Sequence, residues 1–137
     1  MIEFFDVDIS KGTASIYENH ITFNKTLVQY FDDAFKVRVG INKEENKIYI
    51  FVINKDYALS GELPESSLLS ISTSKTYVRV CSRALIDHIC RTFGMKIDKK
   101  DFMRFDASYD FNKKAVIIDM KGDVSKWILK AQWYGSG

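Results

Sequence analysis

One succession of hydrophobic patterns occurs twice in this chain, and that recurrence narrows the folds open to it more than any other feature. Each time, an apolar strand leads into a short helix, and the helix leads into two strands joined by a polar turn. In the first occurrence Ala14 to Phe23 reads as one or two strands. Asn24 then suits an N-cap, because its side-chain oxygen can accept from the free amides of the first helical turn. Leu27, Tyr30, Phe31 and Ala34 follow at helical spacing, which predicts a short amphipathic helix from Asn24 to about Asp33. Val37, Val39 and Ile41 alternate with Lys36, Arg38 and Gly40. A polar reversal at 42–47 and the apolar run Ile48 to Ile53 complete a hairpin whose second strand is deeply buried.

The second occurrence keeps the order. Tyr77 to Val80 has strand character and Ser82 is placed to cap a helix. Leu85, Ile86, Ile89, Cys90 and Phe93 form its apolar stripe, and Gly94 stands where a left-handed C-terminal cap is wanted. Phe102 to Phe111 and Ala115 to Met120 flank Asn112-Lys113-Lys114 as a second hairpin. The two units align at an offset of roughly sixty residues, with Asn24-Lys25-Thr26-Leu27 over Ser82-Arg83-Ala84-Leu85. The reading is therefore a mainly β protein with two short helices and pseudo-duplicated strand–helix–hairpin units in one compact barrel-like domain. Around the units, Phe5, Val7 and Ile9 alternate with Asp6 and Asp8 as an opening strand, and Lys11-Gly12 marks a turn. The segments are 1–53 for the first strands and unit, 54–75 for a Ser-rich linker holding the single Pro64, 76–122 for the second unit, and 123–137 for an aromatic tail. A short strand near Leu68 to Ile71 fits within the linker.

Composition supports a folded core: 46% hydrophobic residues, with ten Phe and seven Tyr among 137. No run of about 18 apolar residues exists, so no membrane-spanning helix is expected, and the first residues lack a secretory pattern. Cys81 and Cys90 are too few to staple a secreted scaffold, which points to a cytoplasmic location with reduced thiols. The net charge of +2 says little about partners, but its distribution is uneven. Residues 1–20 hold one Lys against four acids, whereas residues 76–104 hold seven Lys or Arg against three Asp. Such a basic stretch suits a solvated face as well as a polyanion contact.

Catalytic patterns are not apparent, and neither a metal nor another cofactor is expected. Cys81, His88 and Cys90 are the one cluster of soft ligands. His88 and Cys90 point to opposite sides of a helix, and Cys81 lies roughly 10 Å from His88 along the axis, too far for one ion to bridge. His20 stands alone on a strand. Asp32-Asp33 and Glu44-Glu45 are neighbours that do not converge on a cleft. No Gly-rich phosphate loop, His-Glu-x-x-His run or nucleophile elbow is present. Arg83, Asp87 and Arg91 recur at i, i+4 and i+8, a line that suits self-pairing on an exposed helix as readily as a phosphate-facing ridge. In the tail, Trp127, Trp133 and Tyr134 stand among Lys126 and Lys130, a composition suited to closing the core, stacking on bases or anchoring a protein partner. Gly135-Ser136-Gly137 reads as a flexible end.

The doubled strand–helix–hairpin order resembles the swapped-hairpin barrel of AbrB-type transcription factors, and its one-chain form is similar to the MraZ family. The stretch Ile21-Thr22-Phe23-Asn24-Lys25, with a short helix and Val37-Arg38-Val39 after it, is also similar to small bacterial proteins that open in this way. The resemblance implies DNA contact through basic residues near the first strands and helix of each unit; the matching positions are Lys11, Lys25, Arg38, Arg79 and Arg83. It departs from the AbrB-type pattern in lacking an arginine-rich run into the first helix.

The expected function is a non-enzymatic binding module. The leading form is a small bacterial or phage DNA-binding regulator in which Lys25, Arg38, Arg79, Arg83 and Arg91 contact phosphate. The alternative is a protein–protein interaction module, such as a phage accessory protein or an inhibitor of a host protein, with Trp127, Trp133 and Tyr134 at the contact. A swapped hairpin can be completed within one chain or between two, so monomer and homodimer both fit.

Overall fold

Eight strands and two α-helices make up residues 11–123, the part of the chain described by the computed structural model. The strands are β1 (Thr13–Tyr17), β2 (His20–Phe23), β3 (Lys36–Asn42), β4 (Lys47–Ile53), β5 (Ile71–Thr73), β6 (Val78–Cys81), β7 (Phe102–Asp110) and β8 (Ala115–Asp123). The α-helices are α1 (Lys55–Leu59) and α2 (Arg83–Phe93), and two 3₁₀ helices cover Lys25–Phe31 and Glu65–Ser67. None of the helices described is long and apolar enough to cross a membrane. The opening alternation at Phe5, Val7 and Ile9 and the tail residues Trp127, Trp133 and Tyr134 lie outside the described residues.

The strands form one antiparallel sheet in the order β3-β4-β8-β7-β1-β2-β6-β5. A single bridge between Val37 of β3 and Leu69, just ahead of β5, brings the two ends together and nearly closes the sheet into a barrel. Alternation in the sequence decides which side chains fill it. Val78 and Val80 of β6 are buried while Arg79 and Cys81, which alternate with them, are exposed. Ile16, Ile21, Phe23, Val37, Ile48, Ile50, Phe105, Val116 and Ile118 turn inward and are almost wholly shielded. Each such side chain contributes on the order of 1.5–3 kcal/mol by leaving water.

Both units expected from the sequence are present. β2, a helix, β3 and β4 form the first; β6, α2, β7 and β8 form the second. Each is preceded by one more strand, β1 or β5, that makes a hairpin with β2 or β6. The sheet order is unchanged when the two halves are exchanged, so the barrel has a pseudo-twofold axis. It passes between β2 and β6 on one side and between β4 and β8 on the other. The hairpins are swapped: β7 and β8 lie beside β1 and β4 of the first half, not beside their own β5 and β6.

The local signals in the second unit hold in detail. Leu85 donates its amide to the Ser82 hydroxyl at 3.1 Å. Gly94 takes φ 64° and ψ 39°, and the Met95 amide returns to the Cys90 carbonyl at 2.8 Å. The first unit differs. Its helix is a 3₁₀ segment, Lys25–Phe31, and Asn24 does not cap it with its side chain. Instead Asn24 Oδ1 accepts from the Thr13 amide at 3.1 Å and Asn24 Nδ2 donates to the Lys11 carbonyl at 2.9 Å. The side chain that looked like a helix cap ties down the start of β1.

Two other expectations change. The stretch 54–75, read as a linker, carries α1, the 3₁₀ turn Glu65–Ser67 and β5, so its last residues belong to the barrel. Asn54 caps α1 by accepting from the Tyr57 amide at 2.8 Å, an Asn signal equal to the one at Asn24. Gly12, read as a turn, is buried and its carbonyl accepts from the Ala107 amide at 3.0 Å, extending the β1–β7 ladder. A Cβ there would collide with the Ala107 carbonyl and with Leu27. Gly12→Ala is therefore expected to lower stability by about 2 kcal/mol in denaturant titrations. Gly40→Ala, whose Cβ would meet only Phe51 Cε2 at 3.6 Å, should be neutral or stabilising by up to about 1 kcal/mol.

Candidate nucleic-acid interface

The outer face of β5, β6, β2, β1 and β7 gathers side chains that are far apart in sequence. Antiparallel register sets them in rows. Ser72, Arg79, Thr22, Ser15 and Arg104 are successive cross-strand partners over these five strands. The neighbouring row holds Cys81 opposite His20 and Tyr17 opposite Phe102. The His20 ring lies on Tyr17 with centroids 4.4 Å apart and planes within 12°. Tyr17 in turn meets Phe102 at 5.3 Å.

The two arginines are held in the same way. Arg104 Cζ lies 5.2 Å from the Phe102 ring centroid, and its Nε donates to the Ser15 hydroxyl at 3.2 Å. Arg79 Cζ lies 5.4 Å from the ring of Tyr77, which is 38% exposed. On each strand an aromatic residue two positions before the arginine supports its guanidinium by a cation–π contact. Strand spacing of about 4.8 Å puts the backbones of β6 and β7 roughly 14 Å apart across β2 and β1.

Two acidic groups at the border of this face are matched. Lys11 Nζ approaches Asp106 Oδ1 at 3.2 Å, an ion pair without hydrogen-bond geometry, and Arg83 Nη1 approaches Glu18 Oε1 at 3.6 Å. These exposed pairs add little stability, but they cancel the nearby carboxylates. Among the described residues Arg79 and Arg104 have no acidic partner, which leaves two positive charges on an aromatic, hydroxyl-bearing surface.

The basic residues expected from the sequence are thus only partly brought together. Arg79 sits within the face. Lys25 and Arg83 begin the helices that follow β2 and β6, and since those strands are antiparallel the two residues flank the face at opposite ends. Arg91 is exposed near the end of α2. Arg38 is exposed on β3, a strand outside this face. The sequence reading missed Arg104, which joins Arg79 only through the Ser15–Arg104 pairing, a contact across 89 positions. The alternation of Phe102 and Arg104 with buried Phe105 was the available signal.

Nor is His20 isolated. It is the cross-strand neighbour of the exposed Cys81, and its Nδ1 lies 2.7 Å from Asn19 Oδ1. Partial burial and then the Arg79 charge lower its pKa from the ordinary 6.5, so the ring is neutral at pH 7. Cys90, beside Asp87 and Arg83 in a hollow at the flank of α2, is shifted upward by burial and then by the Asp87 charge, which keeps it a thiol. No group of three or more potential metal ligands occurs among the described residues. Comparison with protein families, with curated proteins and with solved structures finds no match.

If burial and Arg79 set the state of His20, an NMR titration will place its midpoint below 6.5, and Arg79→Ala will move it upward. A wild-type midpoint at or above 6.5 contradicts this placement. Protonating His20 costs more in the folded than in the unfolded chain, so its contribution to stability falls as pH drops from about 6.5 through the folded-state pKa and is constant below that.

Proposed function

We propose that the chain is a DNA-binding regulator of AbrB-like type that holds nucleic acid mainly by its phosphates, on the outer face of β5, β6, β2, β1 and β7. The observation that carries this reading is the row containing Arg79 and Arg104. Two guanidinium groups are preorganised on aromatic rings, without acidic partners among the described residues, and are flanked by the hydroxyls of Ser72 and Thr22. Arginine offers a planar fork of donors to phosphate oxygens, and the hydroxyls add uncharged donors that position a backbone without reading sequence. Lys25 and Arg83 at the two ends extend the positive surface, though Arg83 shares its charge with Glu18. The swapped-hairpin order adds the family resemblance to this argument.

Tyr77 and the Tyr17–His20 stack offer flat surfaces at the same level as the guanidiniums. An unpaired base can stack on such a surface, so single strands are expected to bind at least as well as duplex.

Fluorescence anisotropy with labelled single-stranded and duplex oligonucleotides at low salt tests the proposal. Binding should weaken steeply as salt rises. The double substitution Arg79→Ala, Arg104→Ala should reduce affinity at least tenfold and lower the log–log salt slope by about 1.8 for duplex, the value for two lost phosphate contacts. Arg38→Ala, on another part of the barrel, should leave affinity within about twofold. Absence of binding at 50 mM salt, or equal binding by the double variant, contradicts the proposal.

A further inference from the structure

We propose that the open edge of β3 is a docking site for an extended, acidic segment of a partner protein, which adds to the barrel as an antiparallel strand. The pseudo-twofold makes the vacancy measurable. In one half, β1 covers the edge of β7 through five consecutive pairs, from Thr13↔Asp106 to Tyr17↔Phe102. In the other half, β5 is shorter, and among the described residues the chain ahead of it, which also takes a side-chain hydrogen bond from Lys36, pairs its backbone with β3 at Val37 alone. There the two residues exchange both hydrogen bonds, Val37 N to Leu69 O at 3.0 Å and Leu69 N to Val37 O at 2.8 Å. Before Leu69 the chain turns through the 3₁₀ helix Glu65–Ser67 and leaves the ladder.

Backbone groups alternate along a strand. Since Val37 directs its N–H and C=O away from β4, Val39 and Ile41 do the same, and among the described residues no strand takes up these outward groups. Side-chain burial records the gap. Val37 is fully buried at the bridge, but the next two inward residues, Val39 and Ile41, are only half-buried. On the other half, Phe105 and Ala107, the counterparts of Val37 and Val39, are both buried, whereas Tyr109, the counterpart of Ile41, is half-buried like it. The same fold thus shows what fills the place equivalent to Val39: the Gly12 carbonyl ahead of β1, which accepts from the Ala107 amide at 3.0 Å.

Charge selects the occupant. The outward residues of β3 on either side of Val37 are Lys36 and Arg38, and Arg38 has no ion pair among the described residues. Arg38 also borders a hollow of about 380 Å³ lined by Val39, Gly40, Phe51, Tyr57 and Leu63. A segment alternating apolar and acidic residues would place its apolar side chains beside Val39 and Ile41 and its carboxylates beside Arg38. Strand addition of this kind draws affinity from the main chain and specificity from alternate side chains.

The probe is a fluorescein-labelled peptide of about eight residues alternating valine and aspartate, the length of an ordinary strand, titrated into the full chain. Saturable binding is expected, with amide shifts at Val39 and Ile41 and none at Arg79, which separates this edge from the proposed DNA face. Val39→Pro removes an outward N–H while leaving the β4 ladder intact, and should weaken binding about tenfold. Arg38→Glu, a surface change that spares the fold, should weaken it about fivefold, and a valine–lysine peptide should bind correspondingly less well. The proposal is overturned by absence of saturable binding, or by equal binding in the Arg38→Glu variant. It is equally overturned if the Val39 and Ile41 amides of the free chain are already protected from exchange, since the chain itself then fills the edge. A dimer held through β3 in sedimentation would assign the edge to a second copy and likewise end it.

Discussion

Among the described residues, neither half of this chain contains a sheet that could stand alone. Within the first half, the β1–β2 hairpin makes no ladder with the β3–β4 hairpin; within the second, β5–β6 makes none with β7–β8. Every pairing between hairpins crosses from one half to the other: β2 with β6, β4 with β8, β1 with β7, and β3 with the residue bridge at Leu69. An isolated two-stranded hairpin is marginal in water. The apolar faces of Ile48 and Ile50 on one side and Val116 and Ile118 on the other are sheltered only because the exchange occurs. The cooperativity of the fold therefore lies between the halves, and a change that weakens one seam exposes core from both.

That arrangement also explains the placement of the two surfaces with chemical character. Where the halves meet fully, at β7-β1-β2-β6, the sheet is continuous, and side chains from four strands fall into ordered rows. Arg79 and Arg104 can then act together although 25 positions separate them along the chain. Where the halves meet through one bridge, at β3 and Leu69, the backbone retains unused hydrogen-bonding capacity. One pseudo-symmetric seam has become a surface and the other a slot. The difference arises from local sequence: β1 is preceded by Gly12, which lets the chain lie against the Ala107 carbonyl, whereas Leu69 is preceded by the 3₁₀ turn Glu65–Ser67.

Much of the fold was legible in the sequence because it is written in local periodicity. The alternation in Val78–Cys81, the stripe through Ile86 and Ile89, the Ser82 cap and the Gly94 stop each depend on a few adjacent residues. The recurrence of order then implied two matching units. What escaped was decided at a distance. Asn24 had the local chemistry of a cap but found the Thr13 amide and Lys11 carbonyl on β1 instead. The short strand expected near Leu68 to Ile71 lies slightly later, at Ile71–Thr73, because β6 lies alongside there. For the same reason the candidate site was half visible. Arg79 could be named from its own strand, whereas Arg104 and the His20–Cys81 neighbourhood follow from registers that no local pattern encodes. Long-range pairing of this kind also implies slower folding than a helical chain of equal size.

The exchange between halves is tested most directly by cross-strand nuclear Overhauser effects, read in a mixture of isotope-labelled and unlabelled full-length chains. Contacts are expected between Ile48 and Ile118, between Ile21 and Val80, and between Ser15 and Arg104, all arising within one molecule. Contacts confined to the hairpins β3–β4 and β7–β8, with those three pairs silent, would contradict it. So would finding the three pairs only between labelled and unlabelled molecules.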